Sequence, residues 1–186
     1  MVRLLPLSNP AEGPVALSTL RTYLRVDGTQ DDIAIQTAFR AARQHITRRT
    51  HFVLAVESWR LSLDELSADQ TIEIPLYPFR RVTSARFHSG SGSSTSIATT
   101  NLSVRSMGRP AFLRLNQTIS MGVAKGGLEI DCECGYSNGS DVPPALTLAA
   151  LRATALYYET RGDEAALLND QALTQLMAPF IAVRLT

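Results

Sequence analysis

The stretch from Leu128 to Gly162, LEIDCECGYSNGSDVPPALTLAALRATALYYETRG, constrains the fold more than any other. It opens as a strand. Leu128, Ile130, Cys132 and Cys134 alternate with Glu129, Asp131 and Glu133, so one face is apolar and the other acidic. Gly135 to Asp141 is rich in turn formers. Pro143 and Pro144 then open a helix, at positions where a missing N–H costs nothing. The helix is expected to run to about Arg161, with Gly162 as its cap. It has two apolar sides. Leu148, Leu151, Ala155 and Tyr158 form one stripe, and Leu146, Ala150, Ala153 and Tyr157 form another, roughly opposite. Two apolar sides need two covers. Either a neighbouring subunit supplies one of them, or the chain wraps its own helix. On the first alternative Leu146, Ala150, Ala153 and Tyr157 are the subunit-interface candidates.

The preceding chain divides by period. Residues up to Pro14 show little periodicity and are expected to form an extended arm. Ser18 is placed to cap a short helix, Thr19 to Val26, which Asp27-Gly28 ends. Thr29 is placed to cap a longer helix to about Thr50, with Asp32 completing a capping box. Its apolar stripe is Ile35, Ala38, Phe39, Ala42 and Ile46, while Gln36, Arg40, Arg43, Gln44, Thr47 and Arg48 face away. From His51 the period changes to two. Strands are expected around Trp59–Leu63, Ile72–Ile74, Val82–Phe87, Leu102–Val104 and Ala111–Leu115, with His88 to Ser96 as a flexible tip. After Gly162 a weaker helix runs to Met177, with Asn169-Asp170 as a possible break, and Pro179 stops it. The expected class is α+β: a helical bundle with an inserted antiparallel sheet or small sandwich. The helices occupy 17–50 and 142–178, the β-rich insert 51–135, and a tail 179–186.

The totals exclude several functions. The net charge of +1 over 186 residues argues against a chain whose main task is gripping phosphates. The first residues lack the apolar run of a signal peptide, and no stretch is long and apolar enough to span a bilayer, so no membrane partner is expected. Cys132 and Cys134 sit at i and i+2 on one strand face with no histidine nearby; they read as buried free thiols made in a reducing cytoplasm.

Chemistry-bearing patterns are sparse. Gly135-Tyr136-Ser137-Asn138-Gly139 matches the G-x-S-x-G of a nucleophile elbow. Its context fails: Ser140 to Pro144 separate it from the helix, and His45, His51 and His88 all precede the serine, whereas an elbow's histidine follows it. Glu129, Asp131 and Glu133 line one strand face, either as a divalent-cation site or paired with arginines; Arg60, Arg81, Arg86 and Arg114 are the candidate partners. Arg40, Arg43 and Arg48 make a basic stripe without interleaved aromatics, which reads as a solvated or subunit-facing helix side. No catalytic residue, metal ligand or cofactor is assigned. The apolar end, Phe180, Ile181, Val183 and Leu185, is expected either to dock on a partner or to fold back on its own helices.

The order of these pieces resembles a known family. It comprises Leu24-Arg25-Val26-Asp27, then Asp31-Asp32 and Ala42-Arg43 in a long helix, then Trp59-Arg60-Leu61-Ser62-Leu63. Ile74-Pro75-Leu76-Tyr77-Pro78 leads into Val82-Thr83-Ser84, and Gly135-Tyr136, Val142-Pro143 and Tyr158-Glu159-Thr160-Arg161 close the set. Spanning about Leu17 to Gly162, this set resembles the head–tail connector proteins of tailed phages, the adaptor or head-completion proteins, including those of gene transfer agents. Ser89 to Lys125 departs from the pattern. The resemblance implies a structural, non-enzymatic subunit of a dodecameric ring in the particle neck, assembled in the bacterial cytoplasm. Its implied partners are further copies of itself, the portal protein, and stopper or tail proteins, with DNA passing through the lumen without sequence-specific binding. Phe180, Ile181, Val183 and Leu185 become candidates for portal or neighbour contact. Competing readings are another neck protein such as a stopper or tail terminator, a nucleic-acid-binding module using the arginine helix face, and a serine hydrolase using Ser137.

Overall fold

The computed structural model describes residues 2–8, 13–89, 93–116 and 127–181. The fold is α+β and divides into two compact units, Met1–Asn9 with Val56–Gly135, and Pro10–Ala55 with Tyr136–Thr186. The first holds the strands and the second the helices.

In the strand unit, β1 (Val2–Pro6), β2 (Glu57–Leu63), β4 (Phe79–His88), β5 (Ser94–Ile97) and β8 (Leu128–Cys134) form one sheet in the order β1-β2-β8-β4-β5. β3 (Thr71–Ile74), β6 (Leu102–Ser106) and β7 (Ala111–Leu115) form a second, in the order β3-β7-β6. Every pairing is antiparallel. Alternation sets the core: Leu61, Leu63, Ala85, Leu128, Ile130 and Cys132 are buried from one sheet, and Ile72, Ile74, Leu113 and Leu115 from the other. Two stretches pair where no strand was expected. The extended arm is in part a strand, Val2–Pro6, paired with Trp59–Leu63. The stretch read as a flexible tip contains β5, paired with Ala85–His88. Ser94, Thr95 and Ser96 are exposed, so burial left no apolar signal in the sequence.

In the helix unit, α1 (Leu17–Leu24) starts two residues earlier than expected, without a Ser18 cap, and ends at Arg25 in the left-handed region. α2 (Asp32–Thr50) lacks the expected capping box. Asp32 instead accepts two hydrogen bonds from the Arg21 guanidinium of α1, at 2.6 and 2.5 Å. A charge-assisted fork outcompetes a neutral cap for the same carboxylate. The stripe Ile35, Ala38, Phe39, Ala42 and Ile46 is buried as expected. Arg43 and Thr47 are buried as well, against expectation. The Arg43 guanidinium carbon lies 5.7 Å from the Phe39 ring centroid, a cation–π distance.

α3 (Pro144–Glu159) packs on α2. Its C-terminus is closed by the Gly162 N–H donating to the Tyr157 carbonyl at 2.9 Å, with Arg161 at φ +54 just before it. This is the six-to-one bond of a Schellman motif, so Arg161 takes the left-handed C′ position ahead of Gly162. The weak last helix is two: α4 (Glu164–Leu168) and α5 (Gln171–Met177), each opened by an aspartate. Asp163 accepts from the Ala165 N–H, and Asp170 from the Leu173 N–H.

Candidate assembly surfaces

The acidic row on β8 is neutralised on the sheet itself. Arg60 of β2 donates to both Asp131 oxygens at 2.7 and 2.9 Å, and the Ser84 hydroxyl of β4 donates to the same carboxylate at 2.9 Å. Arg81 holds Glu133 with two bonds of 2.8 Å. Glu129 lies 3.7 Å from Arg60 and 3.2 Å from His88 Nε2. The donated hydrogen bonds hold the Asp131 and Glu133 carboxyls below their ordinary range against the opposing effect of burial. Register explains how two arginine strands reach one face. β4 carries irregularities between Phe79 and Arg81 and between Val82 and Ser84. Each inserts a residue, so Arg81 and Ser84, of opposite parity in sequence, both face the carboxylates. Arg86 sits opposite Glu129, whereas Arg114 belongs to β7 of the other sheet, so only the first of these two candidate partners shares the face. Among the described residues no group of three or more His, Cys, Asp and Glu is placed to hold a metal ion.

The elbow motif is not an elbow. β8 ends at Cys134, and the next regular element is one 3-10 turn, Gly139–Asp141. His45 is buried in α2, and His88 lies on β4 beside Glu129. Burial, aided by the charges of Arg48 and Arg49, pushes the His45 imidazole below its usual range. Cys132 and Cys134 are buried free thiols with sulfurs 3.8 Å apart, and the shared hydrogen bond and burial push Cys134 far up, so it is no nucleophile.

In the helix unit the two stripes of α3 separate cleanly. Leu146, Ala150 and Ala153 are fully buried and Tyr157 is 9% exposed in the single chain. Four side chains proposed from sequence for a subunit interface are therefore core: small alanines let α2 approach, and buried surface cannot be buried twice. The other stripe stays half-open, with Leu148 44% exposed. A shallow cleft of about 350 Å³ lies there, lined by Tyr23, Leu148, Arg152, Ala172, Gln175 and Leu176. Arg152 is locked by two 2.8 Å bonds to Asp170, which also caps α5. The basic stripe dissolves: Arg43 is buried, and Arg48 reaches Glu164 at 3.1 Å. A larger cleft, about 690 Å³, is bounded by Asp31, Ala34, Tyr158 and Arg161, where the Tyr158 hydroxyl donates to Asp31 at 2.7 Å.

The end of the chain begins by folding back. The Phe180 ring stands edge-on to Phe52, with centroids 5.2 Å apart. Ile181 is half-buried, and Val183 and Leu185 lie outside the described residues. No described helix is long and apolar enough to cross a membrane.

No protein-family model matches the sequence, and no curated protein does. Solved structures match along the whole chain. One is from the neck of an empty gene transfer agent particle computed with C6 symmetry: 26% identity, 100% of this chain and 97% of that one, TM-score 0.77. A second is from the virion of a native gene transfer agent particle: 28% identity, 98% and 97% coverage, TM-score 0.75. A third is from the neck of a native particle computed with C12 symmetry: 26% identity, 100% and 97% coverage, TM-score 0.74. The structures this chain is similar to are thus parts of a particle and not enzymes, in agreement with the connector resemblance read from the ordered phrases of the sequence.

Proposed function

We propose that this chain is a structural component of the neck of a phage-like particle, an adaptor subunit repeated in a ring beneath the portal. The match over 100% of this chain and 97% of a chain from a particle neck carries this reading. The surface chemistry agrees with it. The β8 carboxylates are tied up in ion pairs, the G-x-S-x-G segment forms no elbow, and the described residues include exposed apolar side chains and strand edges. DNA passes such a ring without base readout, as suits a chain with balanced charge.

Portal contact through the chain's end is part of the proposal, carried by Ile181, Val183 and Leu185, with Phe180 as the anchor on Phe52. Cryo-electron microscopy of purified particles tests the whole reading. The expected density is a ring of this chain between portal and tail. A chain missing from the particles, or one placed in the tail tube, refutes the adaptor assignment; a position next to the tail instead of the portal makes it a stopper. Removing residues 181–186 is expected to leave a folded chain that no longer joins portal-bearing heads.

A further inference from the structure

Natural sheets guard their edges with lysine, proline, bulges or a covering element. Among the described residues, the two edges of the five-stranded sheet of the strand unit carry few such guards. β5 is Ser-Thr-Ser-Ile, uncharged, without proline, paired to β4 in unbroken register, and exposed at Ser94, Thr95 and Ser96. β1 pairs with β2 in unbroken register and exposes Val2 and Leu5, at 45% and 56%. Its one cation, Arg3, is turned toward Asp64 at 2.8 Å, and its proline, Pro6, stands at the end. The second sheet of the same unit differs. Its β6 edge has a register shift between Val104 and Ser106 and an exposed Arg105, and its β3 edge carries the charge of Glu73.

The free backbone groups can be assigned. The Leu7 N–H donates to the Ser58 carbonyl at 2.8 Å, and with the register this makes Arg3 and Leu5 the residues bonded to β2. Val2 and Leu4 then present their N–H and C=O groups outward. The Ser89 N–H donates to the Ser93 carbonyl at 2.9 Å, so on the far edge Ser94 and Ser96 point outward. Five strands, each antiparallel to the next, leave β1 and β5 on opposite edges running in the same direction. A β1–β1 contact would be two-fold and would stop at a dimer. A β5–β1 contact is head-to-tail, parallel, and repeats.

We propose that β5 of one copy pairs in parallel with β1 of the next, so that the five-stranded sheet continues from subunit to subunit around a ring. The proposal rests on the ring reading above and names its interface. Strands about 4.8 Å apart give about 24 Å per copy, and twelve copies give a belt of about 46 Å radius, far wider than a DNA duplex. One pair of four- to five-residue strands buries well under the ~1,000 Å² of a stable pairwise interface. A single contact is therefore weak, and closure, which grips each copy on both edges, supplies the avidity.

The test uses the full chain with Leu5→Cys and Ser96→Cys, both on the ion-pair face of the sheet, and a short bis-maleimide. The native thiols are buried and serve as the silent background. Native mass spectrometry reports rings, and denaturing gels report crosslinks. The expected result is a ladder of covalent multimers from the double variant and none from either single variant. Rings without a ladder overturn the inference and leave the ring reading intact. Covalent dimers from Leu5→Cys alone show two-fold pairing and also overturn it. A chain that forms no ring in solution or in particles refutes the ring reading itself. Ser96→Pro, which removes an outward N–H, is expected to lower the ring population roughly tenfold or more at unchanged melting temperature; an unchanged ring population contradicts the proposal.

Discussion

Arg60 and Asp131 face each other across β2 and β8 and share two parallel hydrogen bonds, while Ser84 secures the same carboxylate from β4. One carboxylate thus ties together three neighbouring strands. Arg60→Met leaves Asp131, 13% exposed, with a hydroxyl as its remaining strong donor, at a cost of about 1–3 kcal/mol after allowance for partial solvation. The double variant Arg60→Met/Asp131→Leu is expected to lose less than the two single changes together, since no charge is then stranded. Urea melts of the four proteins check this. The pH sign follows from the depressed Asp131 carboxyl: the stabilisation is full above the ordinary carboxylate range and is lost as pH falls through the folded-state value. The wild-type advantage over Arg60→Met should therefore shrink in acid.

The two stripes of α3 separate core from surface. Ala150→Leu forces methylenes into a fully buried site against α2 and should destabilise the isolated chain by about 1–3 kcal/mol. Leu148→Asp, on the half-open stripe, should change stability by only about 0.5 kcal/mol. Thermal melts decide; equal losses at both positions would mean that both stripes are core.

His45 is held neutral by burial, so folding opposes its protonation. Stability from this group is present above the unfolded histidine value, about 6.5, and is lost as pH falls toward the lower folded-state value. The denaturation midpoint is expected to fall between pH 7.5 and 5.5, and His45→Gln should flatten that slope. A slope unchanged in the variant assigns the effect to other groups.

How much of this was legible in the sequence depended on whether burial left a period. β8 alternates apolar and acidic residues because one face is core and the other meets arginines, so the strand could be read directly. Arg60 and Arg81 stood among four candidate partners of its carboxylates, one of which, Arg114, lies on the other sheet. The α2 stripe is equally plain. β1 and β5 were not readable. Val2–Pro6 is an edge exposed on both faces, paired with a strand more than fifty residues away, and Ser94–Ser96 buries nothing. Arg43 was misplaced because a stacked guanidinium is compatible with a core that hydrophobicity alone excludes. The apolar stripes of α3 were both visible, but which one α2 covers is a tertiary fact; the alanines at 149, 150 and 153, close enough together for a tight helix contact, were the available signal.

The end of α3 offers a test of backbone strain free of packing changes. Arg161 sits at φ +54 and Gly162 at φ +93, and both are exposed. A non-glycine residue in the left-handed region costs roughly 1–2 kcal/mol through the clash of its Cβ with the backbone, and glycine avoids that cost at the price of a more flexible unfolded chain. Arg161→Gly should therefore be neutral to stabilising, by up to about 1 kcal/mol, although it removes a charge from the helix end. Gly162→Ala should destabilise, even though nothing lies within 4 Å of the position a Cβ would take. The contrast separates strain from sterics, because no neighbour is there to clash. Urea denaturation of the two single variants measures both signs. A destabilised Arg161→Gly would instead show that the arginine side chain, through its attraction to the helix C-terminus, outweighs the strain of its own backbone.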